Sequence, residues 1–201
     1  ISAVWMSGII GKNSQAANQI ALNLASMTYM VALGVGVAAM IRVGNQRGMM
    51  NFIKLREVAL STLLLIIIVD ILFCFIFLIF NDYLPLLYLD PNNANNLTDV
   101  NEVIQIASKL LIIAGVFQLF DGIQAVVLGA LRGMQDVNIP AFIIFLSYGL
   151  IGFPTSYFLG FYTSLSVVGI WIGLMTGLFS SSLFLFLRFN YLSKKTIRLN
   201  D

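Results

Sequence analysis

The sequence predicts an all-α fold, a polytopic transmembrane helix bundle, and three observations predict it. Apolar residues make up 59 % of the 201 residues and charged residues only 10 %, where an ordinary soluble domain has roughly 45–50 % and about 25 %. Mean hydropathy is +0.93, which leaves too little polar surface to cover a water-soluble core. The apolar residues fall in unbroken runs of about twenty, the length that spans a hydrocarbon core of roughly 30 Å as helix; a membrane β-barrel would alternate over about ten residues instead.

Taken in order, residues 1–11 (ISAVWMSGIIG) read as the tail of a span. Because the chain opens on Ile1 inside an apolar stretch, it is expected to be a piece of a longer protein. A polar break over 12–14 precedes a second span at 14–43, and RVGNQRGMMNFIKLRE follows as a loop. The third span covers 58–80, with Asp70 its one charge from Thr62 onward. Pro, Asn and Asp crowd NDYLPLLYLDPNNANNLTDVNE, which reads as a loop. Spans at 103–131, 139–159 and 167–189 follow, and KKTIR closes the chain as a basic tail. The count is five whole spans and one partial.

Alternating the loops between the two sides separates the charges. One side carries Arg42, Arg47, Lys54, Arg56, Arg132, Arg188, Lys194, Lys195 and Arg198; the other carries only Lys12 and Lys109, with Asp82, Asp90, Asp99 and Glu102. Nine basic residues against two put the first side, and with it the C-terminus, in the cytoplasm. The expected location is therefore the cell (inner) membrane, multi-pass. A net charge of +2 gives no reason to expect nucleic acid as a partner.

Residue types restrict the chemistry. The chain has no histidine and one cysteine, Cys74 inside an apolar run, so an intramolecular disulfide, a clustered metal site and histidine-based catalysis are all excluded. An aspartate at bilayer depth costs roughly 2.5–3.5 kcal/mol on insertion scales and usually faces a bundle interior or a wet cavity. Asp121 is the stronger of two such residues, because Gln118 and Gln124 flank it at three-residue spacing beside the small Gly122 and Ala125. Asp70, set among Val69, Ile71 and Phe73, has no polar stripe and reads more readily as a hydrogen-bonded structural carboxyl. A polar stripe of Gln15, Gln19, Asn23 and Ser26 on the second span lines a cavity or bonds between helices. Gly169, Gly173, Gly177 and then Ser181 recur every four residues, the spacing that lets helices pack closely; Gly152, Ser156 and Gly160 repeat the device. Pro154 within the fifth span predicts a kink. Neither aspartate sits in the sequence context of the diaspartyl membrane proteases, and nothing pairs Lys109 with a serine, so no enzyme is expected.

QAANQIALNLASMTYMVALGVGVAAMIRVGNQRG resembles the eighth span of the multidrug and toxic compound extrusion (MATE) family. VFQLFDGIQAVVLGALRGMQDVNIPAF is similar to the tenth span and the turn after it, where Leu-Arg-Gly-x-x-Asp is characteristic, and GLIGFPTSYFLGF and VVGIWIGLMTGL are similar to the eleventh and twelfth. The resemblance implies the C-terminal lobe of a twelve-helix, two-lobe transporter, from late span seven to span twelve. It further implies a NorM-like coupling-cation site at Asp121, with Gln118 and Gln124 beside it and Gln19, Asn23, Ser26 and Phe117 lining the cavity. Phe117 stands where that branch often has a tyrosine, and Asn18 where the opening motif often has a histidine.

The function expected on this basis is a cation-coupled antiporter exporting organic, cationic or amphipathic compounds by alternating access. No cofactor is expected beyond the coupling ion, H⁺ or Na⁺, and no metal beyond a Na⁺ at Asp121. The expected partners are the organic substrate, the lipid bilayer and an N-terminal lobe of the same protein. Two alternatives compete. A lipid-linked saccharide flippase would line its cavity with arginines, and this chain has none at mid-span. A non-transporting structural subunit would not need an intramembrane aspartate among glutamines.

Overall fold

In the structure, a computed structural model describing residues 2–89 and 97–199, every long element is a helix and no strand occurs among the described residues. Ile1 and Asp90 lie outside the described residues. The helices are α1 (Ser2–Ile10), α2 (Lys12–Gly48), α3 (Phe52–Ile79), α4 (Leu97–Gly133), α5 (Asn138–Leu146), α6 (Phe153–Phe161) and α7 (Ser166–Arg198). A π-helical stretch, Ser147–Gly152, joins α5 to α6 into one span, and a short 3₁₀ turn, Leu84–Leu87, follows α3. Among the described residues, five segments are long and apolar enough to cross a membrane: α2, α3, α4, Asn138–Phe161 and α7.

The helices outrun their apolar cores. The polar segment after the second span is not a loop: α2 runs to Gly48, α3 starts at Phe52, and the chain turns within three residues. KKTIR, read as a tail, is the last part of α7. Hydropathy marks only the part of a helix that meets hydrocarbon, whereas Arg, Gln, Asn and Lys continue the helix readily beyond it.

The turns ending α2 and α4 are one device used twice, in the related strings Arg47-Gly-Met-Met-Asn51 and Arg132-Gly-Met-Gln-Asp136. Met50 and Gln135 adopt left-handed φ values of 57° and 61°. The amides of Asn51 and Asp136 reach back to the carbonyls of Gln46 and Leu131, and those of Met50 and Gln135 to Arg47 and Arg132. This paired pattern is the Schellman motif, which satisfies carbonyls a helix end would otherwise orphan. The two diverge afterwards. Asn51 caps α3 by accepting the Lys54 amide at 3.1 Å, while Asp136 pairs with Arg188 on α7 at 2.9 Å.

α4 is the centre of the bundle, packed against α2, α3 and α7, with the α5–α6 span lying on α7. Its contact with α2 is backbone to backbone: a Cβ at Gly36 would stand 2.8 Å from the Ala125 carbonyl oxygen, and one at Gly129 would collide with the Gly36 carbonyl. In a membrane, where lipid is as apolar as leucine, such close packing is what holds helices together. The Gly169, Gly173 and Gly177 row is buried against the α5–α6 span, meeting Leu159, Ser156 and Gly152 in turn. Pro154 lacks an amide and crowds the carbonyl four residues back; the π stretch just before it widens the turn, with the Phe153 amide bonded to Tyr148.

Candidate functional site

The buried residues of α3 are Leu55, Ala59, Ile66, Asp70 and Phe77, spaced four, seven, four and seven apart. That is a single stripe on a helix, and it is the stripe that meets α4. Asp70 therefore points into the lobe, with 2 % of its surface exposed. Opposite it stands Gly122, where even a Cβ would run into the Asp70 carboxylate.

Asp121, one residue away, projects about 100° around α4 from Gly122. It looks into a recess of about 130 Å³ at the junction of α2, α4 and α7, lined also by Leu22, Ala25, Ser26, Tyr29, Phe117, Trp171 and Leu174. This recess holds several waters or an ion, but is smaller than the roughly 300 Å³ at which drug-sized pockets begin. Among the described residues no Lys or Arg forms an ion pair with Asp121; the ion pair seen is Arg188–Asp136, at the α4–α5 turn.

The recess walls are rigid for identifiable reasons. The Trp171 indole donates to Asn18 Oδ1 at 2.9 Å, a fully buried bond linking α2 to α7 across 153 residues of sequence. Phe117 meets the same indole edge to face, centroids 5.7 Å apart. Asn18 thus acts as an acceptor that orients the wall. Tyr29 brings its hydroxyl-bearing ring to the recess and interacts electrostatically with Asp121. Tyr148, presented by the π stretch, interacts with both Gln124 and Asp121.

Asp121, Ser26 and Phe117 meet at the recess. Gln118 does not reach it. It is 4 % exposed on the α4 surface between Gly122 and Asp121, and neither polar atom of its side chain has a partner. Gln124 is half-buried with Oε1 unpartnered. Gln19 and Asn23 lie on the exposed face of α2, hydrogen-bonded to each other at 3.3 Å, outside the recess lining. Among the described residues no group of three or more His, Cys, Asp or Glu is placed to hold a metal ion.

Reading the sequence did not find Tyr29, Tyr148 or Trp171. For Tyr29 a signal existed, since it continues the stripe of Gln19, Asn23 and Ser26 by one more three-residue step. For Trp171 and Tyr148 there was none, because both act across long sequence separations. The Leu131–Asp136 motif lies elsewhere, on a groove of about 410 Å³ with Arg47, Phe52, Arg188 and Leu192, and ties α4 to α7.

A two-sided polar centre inside a helical membrane bundle defines the lobe of an integral membrane protein. The family model that matches residues 1–158 is MatE, and the chain belongs to that family. It is 37 % identical over 199 residues to a "Probable multidrug resistance protein NorM" of Agrobacterium fabrum, covering 98 % of this chain and 42 % of the relative. It is 38 % identical over 186 residues to the protein of the same name from Burkholderia pseudomallei, covering 91 % and 38 %. The chain thus spans about two fifths of the curated relatives it matches. Among solved structures, the eukaryotic MATE transporter AtDTX14 superposes with a TM-score of 0.82 at 22 % identity, over 96 % of this chain and 43 % of that one. A MATE in the bent conformation superposes with 0.85 at 16 % identity, over 98 % and 42 %. These likenesses establish the all-helical fold of one transporter lobe.

Proposed function

We propose that the chain is the C-terminal lobe of a cation-coupled efflux antiporter, with Asp121 as the residue that binds the coupling ion, H⁺ or Na⁺. The observation that carries this is the recess itself: a carboxylate without a cationic partner, held on a helix long and apolar enough to cross a membrane, in a space of ion and water size. Ser26 and Tyr29 offer further oxygens there. Gln118 and Gln124 flank Asp121 on the same helix, about 60° to either side of it, outside the recess lining. No other cofactor enters the scheme, and the function is transport rather than catalysis.

The transported compound is organic and cationic or amphipathic. Its support is the aromatic wall of Tyr29, Phe117 and Trp171 beside a carboxylate, a combination that attracts cations through both charge and ring quadrupoles. The recess is too small for such a compound alone, so its site lies between this lobe and an N-terminal lobe, with Gln19 and Asn23 on the face turned toward that space. Coupling follows from differential affinity: an ion that binds one arrangement of the lobes more tightly biases the population toward it. The protein sits in the inner membrane with its C-terminus in the cytoplasm; the nine-to-two separation of basic residues supports that orientation.

The test is efflux by the full-length transporter in proteoliposomes under an imposed pH or Na⁺ gradient. Asp121→Asn keeps the size of the side chain and removes its charge, so gradient-driven efflux should fall to the background of empty liposomes while the protein still elutes as a folded species. Efflux at the wild-type rate by a folded Asp121→Asn protein would refute the assignment.

A further inference from the structure

Asp70 Oδ2, on the stripe of α3 that meets α4, and both side-chain atoms of Gln118, on α4, are buried polar atoms without partners. Each orphan destabilises the fold unless something satisfies it. By helical geometry Gln118 stands about 40° around α4 from Gly122, which Asp70 touches, and about 60° from Asp121, on the arc between them. Asp70 and Asp121 also interact electrostatically.

We propose that Asp70 is a second proton-binding carboxyl of the lobe, linked to the Asp121 site through Gln118. The inference rests on reading Asp121 as the ion site and adds a partner to it. A single proton resolves the mismatch. Ionised, Asp70 can only accept, and it faces the charge of Asp121 across one helix surface. When a proton from water adds to one carboxylate oxygen, an O–H bond forms, no other bond changes, and the neutral acid becomes a donor. Gln118 has the complementary pair, an amide oxygen for a protonated acid on one side and an amide nitrogen for an ionised one on the other. Asp121 losing its cation then favours the proton on Asp70, and Asp121 gaining one releases that constraint.

The ligand is a proton rather than a metal cation. A hard cation needs several oxygens, whereas Asp70 meets α4 beside Ile66, with Cys74 and Phe77 one and two turns along α3. The titratable groups facing this interface are few. α4 contributes Asp121, α2 contributes Tyr29 by way of Asp121, and α3 itself contributes Cys74. α7 offers no charged residue before Arg188, at its cytoplasmic end.

The experiment is infrared spectroscopy of the full-length transporter in liposomes, following the protonated-carboxyl stretching band across pH. The expected results are a band in the wild type that Asp70→Asn removes, and a displacement of that band's titration along the pH axis in Asp121→Asn. The second variant retains Asp70, so it decides the matter even if Asp70→Asn fails to fold. A wild-type band unchanged by Asp70→Asn, or one whose titration ignores Asp121→Asn, would overturn the proposal. Because this readout needs no transport, it is separable from the efflux test: a displaced band with undiminished efflux in Asp121→Asn would sink the ion-site reading and leave the proton on Asp70 standing.

Discussion

α3 and α4 lie against each other and each carries one mid-span aspartate, yet they use their residues in opposite ways. The most apolar stretch of α3 has a mean hydropathy of 3.2 and is only 17 % buried; that of α4 has 2.0 and is 56 % buried. The more apolar helix is the outer one, because in a membrane apolar surface is what faces lipid. Ile68, Leu72 and Phe75 of α3 stand 57–61 % exposed, while Leu110, Leu111 and Leu131 of α4 are fully enclosed. Glycine and alanine, rather than the largest side chains, mark where α4 meets its neighbours.

The largest effect expected from this contrast is at Gly129. Gly129→Leu would drive a side chain into the backbone of α2 at Gly36, and overpacking without a yielding neighbour exceeds the usual range of about 1–3 kcal/mol. Loss of the folded species on size exclusion is the expected result, whereas Gly34→Leu, at a position with open space around it, should leave the yield unchanged.

A smaller effect separates two truncations. Leu111→Ala should cost about 2 kcal/mol in thermal unfolding, the low end of the range for core leucines, since lipid cancels most of the transfer contribution and leaves the cavity. Ile68→Ala, on the lipid face of α3, should cost less than about 0.5 kcal/mol. Equal losses at the two sites would break the assignment of inner and outer helix.

The smallest effect concerns the start of α3. Asn51→Ala removes the acceptor for the Lys54 amide and should cost about 1 kcal/mol, read as a lower midpoint in the same unfolding measurement.

The contrast also explains what could be read from the sequence. Five spans, and an Asp121 that lines a recess, were legible because hydropathy and local spacing carry them. Helix ends were not: α2 and α7 continue five and nine residues past the apolar limits at 43 and 189, through polar residues that favour helix as well as loop. The inward direction of Asp70 was not legible for a related reason. The stripe 55, 59, 66, 70, 77 that turns it inward consists of apolar residues on a helix apolar all round, so no contrast in polarity reveals which face is buried. The polar neighbourhood of Asp70 lies on α4, and only packing brings it there.

The central claim, that Asp121 is where ion and substrate movements meet, is tested most directly by running the transporter backwards. Coupling free energy is reciprocal, so a substrate gradient imposed across proteoliposomes must move the coupling ion in the opposite direction. With an H⁺- or Na⁺-sensitive dye inside, the full-length wild type should show substrate-driven ion movement, and Asp121→Asn none. Ion movement of wild-type size in a folded Asp121→Asn protein would contradict the account.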